Sequence, residues 1–349
     1  MTTANLDADD LRKVPANGWI NEDLMQQIFD ISKIELPFSS RAGSSPVKNK
    51  YSEWAQDKLA VPDLTNAKVD GQDTITANDA KTGSRLGNYS QISTKTVQIS
   101  TRGQAVDTVG NSGSMSYQVS RRGDELRRDV EAISMSQQGS IEGDADTSVA
   151  PKTAGVFAFL KTNVNVPVDG AVGGFNTTTK LIVAPTPGTK RKLTETMLRD
   201  LGQQIYLNNG NPNILMSRPA VIRKFSEYCY TENARIGTLV SDVGQTAGDK
   251  ATAKGAVVVF ESDFNTLTLT PNRLQPEVGA AGSKVANIGL FDFEFLKQGF
   301  LKSYSTEPLA KTGLSTKSQI SCDWMVKVLN EEAEGAILSI DETLDVTFN

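Results

Sequence analysis

Apolar positions are spread unevenly along this chain. The first twenty residues are polar and read as a loose arm, after which Leu24, Ile28 and Ile31, with Phe29 beside them, recur at helical spacing. Asn21 is placed to cap that helix, Glu22 and Asp23 suit the positive end of its dipole, and Pro37 stops it. Residues 62–115 are different: Thr, Ser, Asn, Gly, Asp and Gln dominate, and such a segment cannot bury enough surface to fold by itself. Yet the stretch from Ile92 through Val97 to Ile99 is β-branched and suits an extended strand. Strand propensity without a core reads as a long ribbon lying on something else; the plain alternative is a disordered linker.

The next pattern is helical. Met115, Val119, Leu126, Val130 and Ile133 fall three, four or seven apart, a narrow apolar stripe on a helix predicted from Tyr117 to Gln137. At 1.5 Å per residue it spans about 30 Å. Its other faces are charged, with Asp124–Arg128 and Arg127–Glu131 at i,i+4 spacing. A narrow stripe on a long charged helix suits a strut laid against a sheet. After a Gly/Asp-rich turn over 139–150 and the apolar run Gly155–Leu160, Thr194 is predicted to cap a second helix. Leu193 and Leu198 form its hydrophobic staple, and Asn208, Asn209 and Gly210 end it. Asn213–Met216 reads as a buried strand, and Ser217 as the cap of a third helix from Arg218 to Tyr230, with Pro219 in the first turn.

The last third is mostly β. Phe291, Phe293 and Phe295 alternate with Asp292 and Glu294 as a half-buried strand. Ile320, Cys322, Trp324, Val326 and Val328 alternate with Ser321, Asp323, Met325 and Lys327. Asn330–Gly335 then turns the chain back through Ala336–Ile340, a predicted β-hairpin. Helices packed on sheets make the fold class α+β.

Composition narrows the function. The chain of 349 residues contains no histidine, which removes Ser-His-Asp and Cys-His catalysis and nearly all zinc chemistry, while carboxylate or Lys chemistry stays open. A net charge of -5 argues against tight nucleic-acid binding but allows weak, unspecific contact with DNA. Cys229 and Cys322 are too few for a disulfide framework and read as small buried hydrophobes. The start of the chain lacks the basic and apolar stretches of a signal peptide, and the apolar runs Val156–Leu160 and Ala256–Phe260 are too short to span a membrane.

Candidate chemistry is sparse. Gly170–Gly174 lacks the Lys-Ser/Thr of a phosphate loop, and Gly110–Ser114 has the wrong spacing for a nucleophile elbow. Glu142, Asp144 and Asp146 lack the calcium-loop pattern and read as a solvated acidic turn. Lys190, Arg191 and Lys192 lie just ahead of a helix, where a phosphate contact competes with a plain surface role. No catalytic, cofactor or metal residue is assigned.

The order of elements carries more than any motif. An arm, a polar ribbon, a strand leading into one long charged helix, a helix–strand–helix lobe and closing strands resemble the Hong Kong 97-type capsid fold of tailed-phage major capsid proteins. Tyr51–Leu59 looks like the outgoing side of that family's extended loop, and Asn88–Ile99 like its return. Tyr117–Gln137 looks like the spine helix, Leu193–Tyr230 is similar to the axial domain, and Ile320–Ile340 is similar to the last strands of the peripheral domain. The resemblance covers about residues 47–342. It implies an arm over 1–46, an extended loop over 47–99, a peripheral domain over 100–190 continued by 316–349, and an axial domain over 191–315.

It also implies function by self-assembly: homo-hexamers and homo-pentamers closing into an icosahedral shell around double-stranded DNA, assembled in the host cytoplasm, with a portal protein and no membrane. Trp54, Asp57, Arg85, Arg121, Arg122, Glu125 and Arg128 are the candidate assembly contacts. No long charged segment remains at either end to serve as a built-in scaffold, so a separate scaffolding protein is expected. The alternatives are an encapsulin-type compartment of the same fold, or an unrelated carboxylate-based enzyme.

Overall fold

The computed structural model describes residues 31–32, 34–71, 83–106, 108, 113–227, 230–231, 234–235, 258–311 and 313–344. Strands β1 (Gly43–Pro46), β2 (Tyr51–Gln56), β3 (Ser84–Tyr89) and β4 (Gln91–Ser100) precede a short helix α1 (Thr101–Ala105) and the long helix α2 (Met115–Ser134). A one-turn helix α3 (Val156–Phe159) follows, then β5 (Val164–Asn165), β6 (Gly174–Asn176), β7 (Leu181–Val183) and α4 (Glu195–Leu207). Next come β8 (Ile214–Ser217), α5 (Pro219–Glu227), β9 (Tyr230–Thr231), β10 (Ala234–Arg235), β11 (Val259–Glu261) and β12 (Thr266–Pro271). The chain ends through β13 (Val285–Phe291), β14 (Leu296–Leu309), β15 (Ser315–Val328) and β16 (Gly335–Asp341). The helix expected from Asn21, Cys229 and ribbon residues 72–82 lie outside the described residues.

Two sheets organise the body. One has the order β1-β14-β15-β4, with α2 laid across β4 and β15. The strut reading of that helix holds: Leu126 and Val130 are buried toward the sheet, and Ser114 caps it by accepting the Tyr117 N–H at 3.2 Å. The other sheet has the order β11-β12-β8-β13-β16-β5, with α4 against β16 and β5 and α5 against β12. Thr194 caps α4 as predicted, accepting the Met197 N–H at 3.4 Å. Leu193 and Leu198 are both buried. Asn209 takes the left-handed conformation (φ 63°) that ends the helix, where Gly210 donates to the Ile205 carbonyl at 2.9 Å.

The sheets share core. Trp324, Val326 and Val328 of β15 pack in one apolar cluster with Leu126 and Val130 of α2, Phe157 of α3, and Met216, Phe291 and Leu338 of the six-stranded sheet. A second cluster joins Leu201 and Ile205 of α4 to Leu215, Leu290 and Ile337 and to Val221 and Phe225 of α5.

Several expectations are corrected. The predicted hairpin does not form. β15 pairs with β14 and β4, whereas β16 pairs with β13 and β5 in the other sheet. Residues 329–334, with a 3-10 turn at Glu331–Ala333, therefore carry the chain between sheets. β16 is buried along its whole length between β13 and β5. Phe291 ends β13, and Phe293 and Phe295 sit in a turn closed by the Phe295 N–H on the Asp292 carbonyl at 3.1 Å. That turn is another crossing between the sheets. Leu296–Leu309 lies in the four-stranded sheet and Gly335–Asp341 in the six-stranded one. Ser217 does not cap α5: it ends β8, where its hydroxyl donates to the Asn287 carbonyl at 2.8 Å, and Arg218 holds the cap position ahead of Pro219.

The charged face of α2 also pairs differently. Arg127 reaches Asp124 at 3.4 Å, one turn back, and lies over the Tyr304 ring at 5.8 Å. Glu131, expected to meet Arg127, is fully buried.

Candidate assembly surfaces

The polar ribbon has a rooted part and a free part. β2 and β3 form an antiparallel hairpin, Tyr51 opposite Tyr89 and Gln56 opposite Ser84. Alternation turns Trp54 and Gln56 toward the body and Glu53 and Ala55 toward solvent. The Trp54 indole N–H donates to the Val328 carbonyl at 2.9 Å, its ring lies 6.1 Å from that of Phe159, and Gln56 donates to the Leu329 carbonyl at 2.5 Å. Two residues on, the Lys58 ammonium pairs with Glu332. Positions 54, 56 and 58 thus grip the crossing between the two sheets. On β3, Asn88 is fully buried. Its amide donates to Thr153 Oγ1 at 2.9 Å and the Val326 carbonyl at 2.8 Å, and its oxygen accepts from Ala154 N–H at 3.2 Å.

Past this root none of the described residues up to Gly71 is buried. Every residue from 57 to 71 is exposed, including four large apolar ones: Leu59 (95%), Val61 (85%), Leu64 (96%) and Val69 (76%). Beyond Lys58 the hydrogen bonds here are local, as where Thr65 donates through its N–H and O–H to Asp63 and holds that carboxyl below the usual range.

The seven candidate contacts fall in two places. Trp54, Asp57 and Arg85 belong to the hairpin and its exit; Arg121, Arg122, Glu125 and Arg128 belong to α2. Arg85 is exposed, opposite Ala55 and 3.7 Å from Glu53, and Asp57 is exposed at the start of the free segment. Trp54 departs from the expectation of a coreless ribbon, since it docks on its own subunit. Arg122 and Glu125 meet at 2.5 Å along the helix, and the guanidinium holds the Glu125 carboxyl low. Arg121 and Arg128 are half-buried. Of the basic trio ahead of α4, Lys190 pairs with buried Asp341 at 2.9 Å and Arg191 donates to the Asn165 carbonyl at 2.7 Å, so two of its cations are already engaged.

Chemically the surface is quiet. Two shallow recesses stand out, about 590 Å³ beside Gln138, Lys152 and Val183, and about 370 Å³ between β4 and α2 at Ile92, Leu126 and Asp129. Among the described residues, no three Asp, Glu or Cys side chains are grouped to hold a metal. Asp144 accepts from the Asp146 N–H and the Thr147 hydroxyl in its own turn. Burial pushes the Cys322 thiol up to about 12. Burial raises the carboxyl of Glu334, which is fully buried at the crossing and lines neither recess. Its Oε2 accepts the Asp292 N–H at 2.9 Å while Oε1 has no partner. Asn88, Glu131 and Glu334 escaped sequence reasoning because a polar residue carries no periodic signal of burial.

A family model described as SU10 major capsid protein matches residues 2–341. The chain belongs to the SU10 major capsid protein family. Membership makes it a phage capsid protein and a component of the virion capsid. Among relatives, the major capsid protein of Escherichia phage Phieco32 is 27% identical over 226 residues, which are 56% of this chain and 63% of that one. The chain therefore matches less than two thirds of that relative's length. Among solved structures, the chain is similar to the SrpI encapsulin complex from Synechococcus elongatus PCC 7942 (13% identity, 97% of this chain and 99% of that chain, TM-score 0.53). It is similar also to the capsid of cyanophage P-SCSP1u (10% identity, 95% and 94% covered, TM-score 0.54). At such identities these likenesses speak for the fold, which is the α+β Hong Kong 97-type capsid fold expected of the SU10 family member.

Proposed function

We propose that this chain builds an icosahedral shell by joining copies of itself into hexamers and pentamers around double-stranded DNA. The carrying observation is the segment 57–71, whose Leu59, Val61, Leu64 and Val69 stand in water while its root is fastened to the core. Apolar side chains held out on an anchored ribbon gain burial only from another molecule, and in a family of shell proteins that molecule is a second copy. In this reading the sheet carrying α2 is the peripheral domain, the six-stranded sheet is the axial domain, and Asp57, Arg85, Arg121, Arg122, Glu125 and Arg128 face neighbouring copies. Trp54 supports the ribbon from within.

Hexamers and pentamers use nearly the same surfaces, so subunit contacts specify shell curvature weakly, and a separate scaffolding protein supplies the bias. A portal protein occupies one vertex. The mild acidity of the chain keeps contact with packaged DNA weak and unspecific. The role is structural rather than enzymatic, a reading favoured by the enclosure of Glu334 away from both recesses. The family match favours a phage shell over an encapsulin compartment.

Electron microscopy of the purified protein, alone and co-expressed with the genes beside its own, tests this. Closed shells are expected from the parent chain, and open or absent particles from a chain in which Leu59, Val61, Leu64 and Val69 are all Ser. A protein that stays monomeric under every condition would refute the shell reading.

A further inference from the structure

Glu131 is a carboxylate sealed inside the protein. It lies in the last turns of α2 with no exposed surface, and four donors converge on it. Oε1 accepts the Phe38 N–H at 2.7 Å and the Asn272 amide at 2.7 Å; Oε2 accepts the Ser39 N–H at 2.8 Å and the Ser39 hydroxyl at 2.6 Å. The donors come from two separate parts of the chain. Phe38 and Ser39 lie ahead of β1, and the Phe38 ring is buried in the same cluster as Val130 and Trp324. Asn272 follows β12 and is held to the six-stranded sheet by its N–H on the Ser217 carbonyl at 2.8 Å. A fourth strand of the network comes from β14, where Gln298 donates to the Ser39 hydroxyl at 3.0 Å and the Ser134 hydroxyl at 3.3 Å.

A buried carboxyl group is tolerated only where hydrogen bonds replace those it made to water. Any other arrangement of its partners leaves buried polar groups unmet, so the network favours one setting of them. Here the partners are the N-terminal segment, the long helix, the four-stranded sheet and the six-stranded sheet. Small rotations of one lobe against the other, which an apolar interface would absorb gradually, are penalised steeply at this point.

We propose that Glu131 is a positioning residue for shell assembly, fixing one setting of the N-terminal segment and the two sheets and thereby the angle at which copies join. The proposal rests on the shell-building reading. Three full-length variants separate its links: Glu131→Gln replaces one acceptor by a donor facing other donors, Asn272→Ala removes the amide that ties Glu131 to the six-stranded sheet, and Ser39→Ala removes the hydroxyl that joins the N-terminal segment to Glu131 and Gln298 while leaving the Phe38 and Ser39 N–H bonds. Leu201→Ala, in the other core cluster, serves as a control destabilised without touching the network.

Each is co-expressed with the phage's neighbouring genes, and particle diameters are measured by electron microscopy beside the thermal melts of dissociated subunits. We expect Asn272→Ala and Glu131→Gln to widen the diameter distribution at least twofold, and Leu201→Ala to keep the parental distribution at a similarly lowered melting temperature. Parental diameters from both Asn272→Ala and Ser39→Ala overturn the proposal, whatever Glu131→Gln does to folding. So does equal broadening by Leu201→Ala. If the parent chain builds no shell, the shell-building reading falls and takes the proposal with it.

Discussion

The indole N–H of Trp54 donates to the carbonyl of Val328 across 2.9 Å. That bond places a residue of the ribbon on the last residue of β15, and with the Phe159 ring beside it Trp54 belongs to the core of its own subunit. Trp54→Ala is expected to destabilise the dissociated subunit by about 2 kcal/mol, the cost of a half-emptied aromatic site and a lost hydrogen bond. Trp324→Ala, at a fully buried site, should cost about 3–5 kcal/mol. Denaturant melts of dissociated subunits decide it, and an unchanged melt for Trp54→Ala would place the ribbon root off the core.

Limited proteolysis reports on the free segment. Backbone with neither burial nor regular hydrogen bonds is cut first. In dissociated subunits the earliest cleavage among the described residues should fall between Asp57 and Gly71, and shells should resist it there. Mass spectrometry of the first fragments reads the site; a first cut inside Met115–Ser134 contradicts the assignment.

Burial pushes the Glu334 carboxyl well above the usual carboxylate range, the Asp292 N–H pulling it partly back and the Asp292 charge adding to the rise. The folded chain therefore holds this proton more tightly than the unfolded chain. The resulting stabilisation is complete below about pH 4 and is lost as pH rises through the folded value. Glu334→Gln, neutral at every pH, should gain stability relative to the parent as pH increases. Urea melts from pH 4 to 9 test this, and parallel curves for the two proteins would count against a protonated Glu334.

Asp341 has the opposite sign. Burial raises its carboxyl, but the Thr343 hydroxyl and N–H together with Lys190 outweigh burial and hold it at about 2. Its contribution is present above about pH 4 and is lost as pH falls toward 2. Lys190→Met removes one of the lowering groups, so acid unfolding should begin at a higher pH than in the parent. Circular dichroism along an acid titration measures the shift.

The elements legible in the sequence were those whose partners are near in the chain. The stripe from Met115 to Ile133 and the cap at Thr194 depend on spacings of three and four residues, and both appear in the structure. The hairpin of β15 with β16 failed because a polar turn looks the same whether it reverses the chain within one sheet or carries it to another. β14 supplied the missing partner unnoticed, since Lys297, Gln298, Lys302 and Pro308 hide its strand character. Of the candidate surface, Asp57 and Arg85 could be read as exposed from polarity alone. The burial of Glu131 and Asn88 arises from partners more than sixty residues away and leaves no local trace.

The ribbon root has a mechanical consequence. Trp54, Gln56 and Lys58 hold Val328, Leu329 and Glu332, the stretch by which the chain leaves one sheet for the other. A tug on residues 57–71 is therefore not dissipated in a slack tether but delivered as torque at the joint between the two sheets. In the proposed shell, a neighbour that pulled on the ribbon would act through a fulcrum inside the subunit's own core.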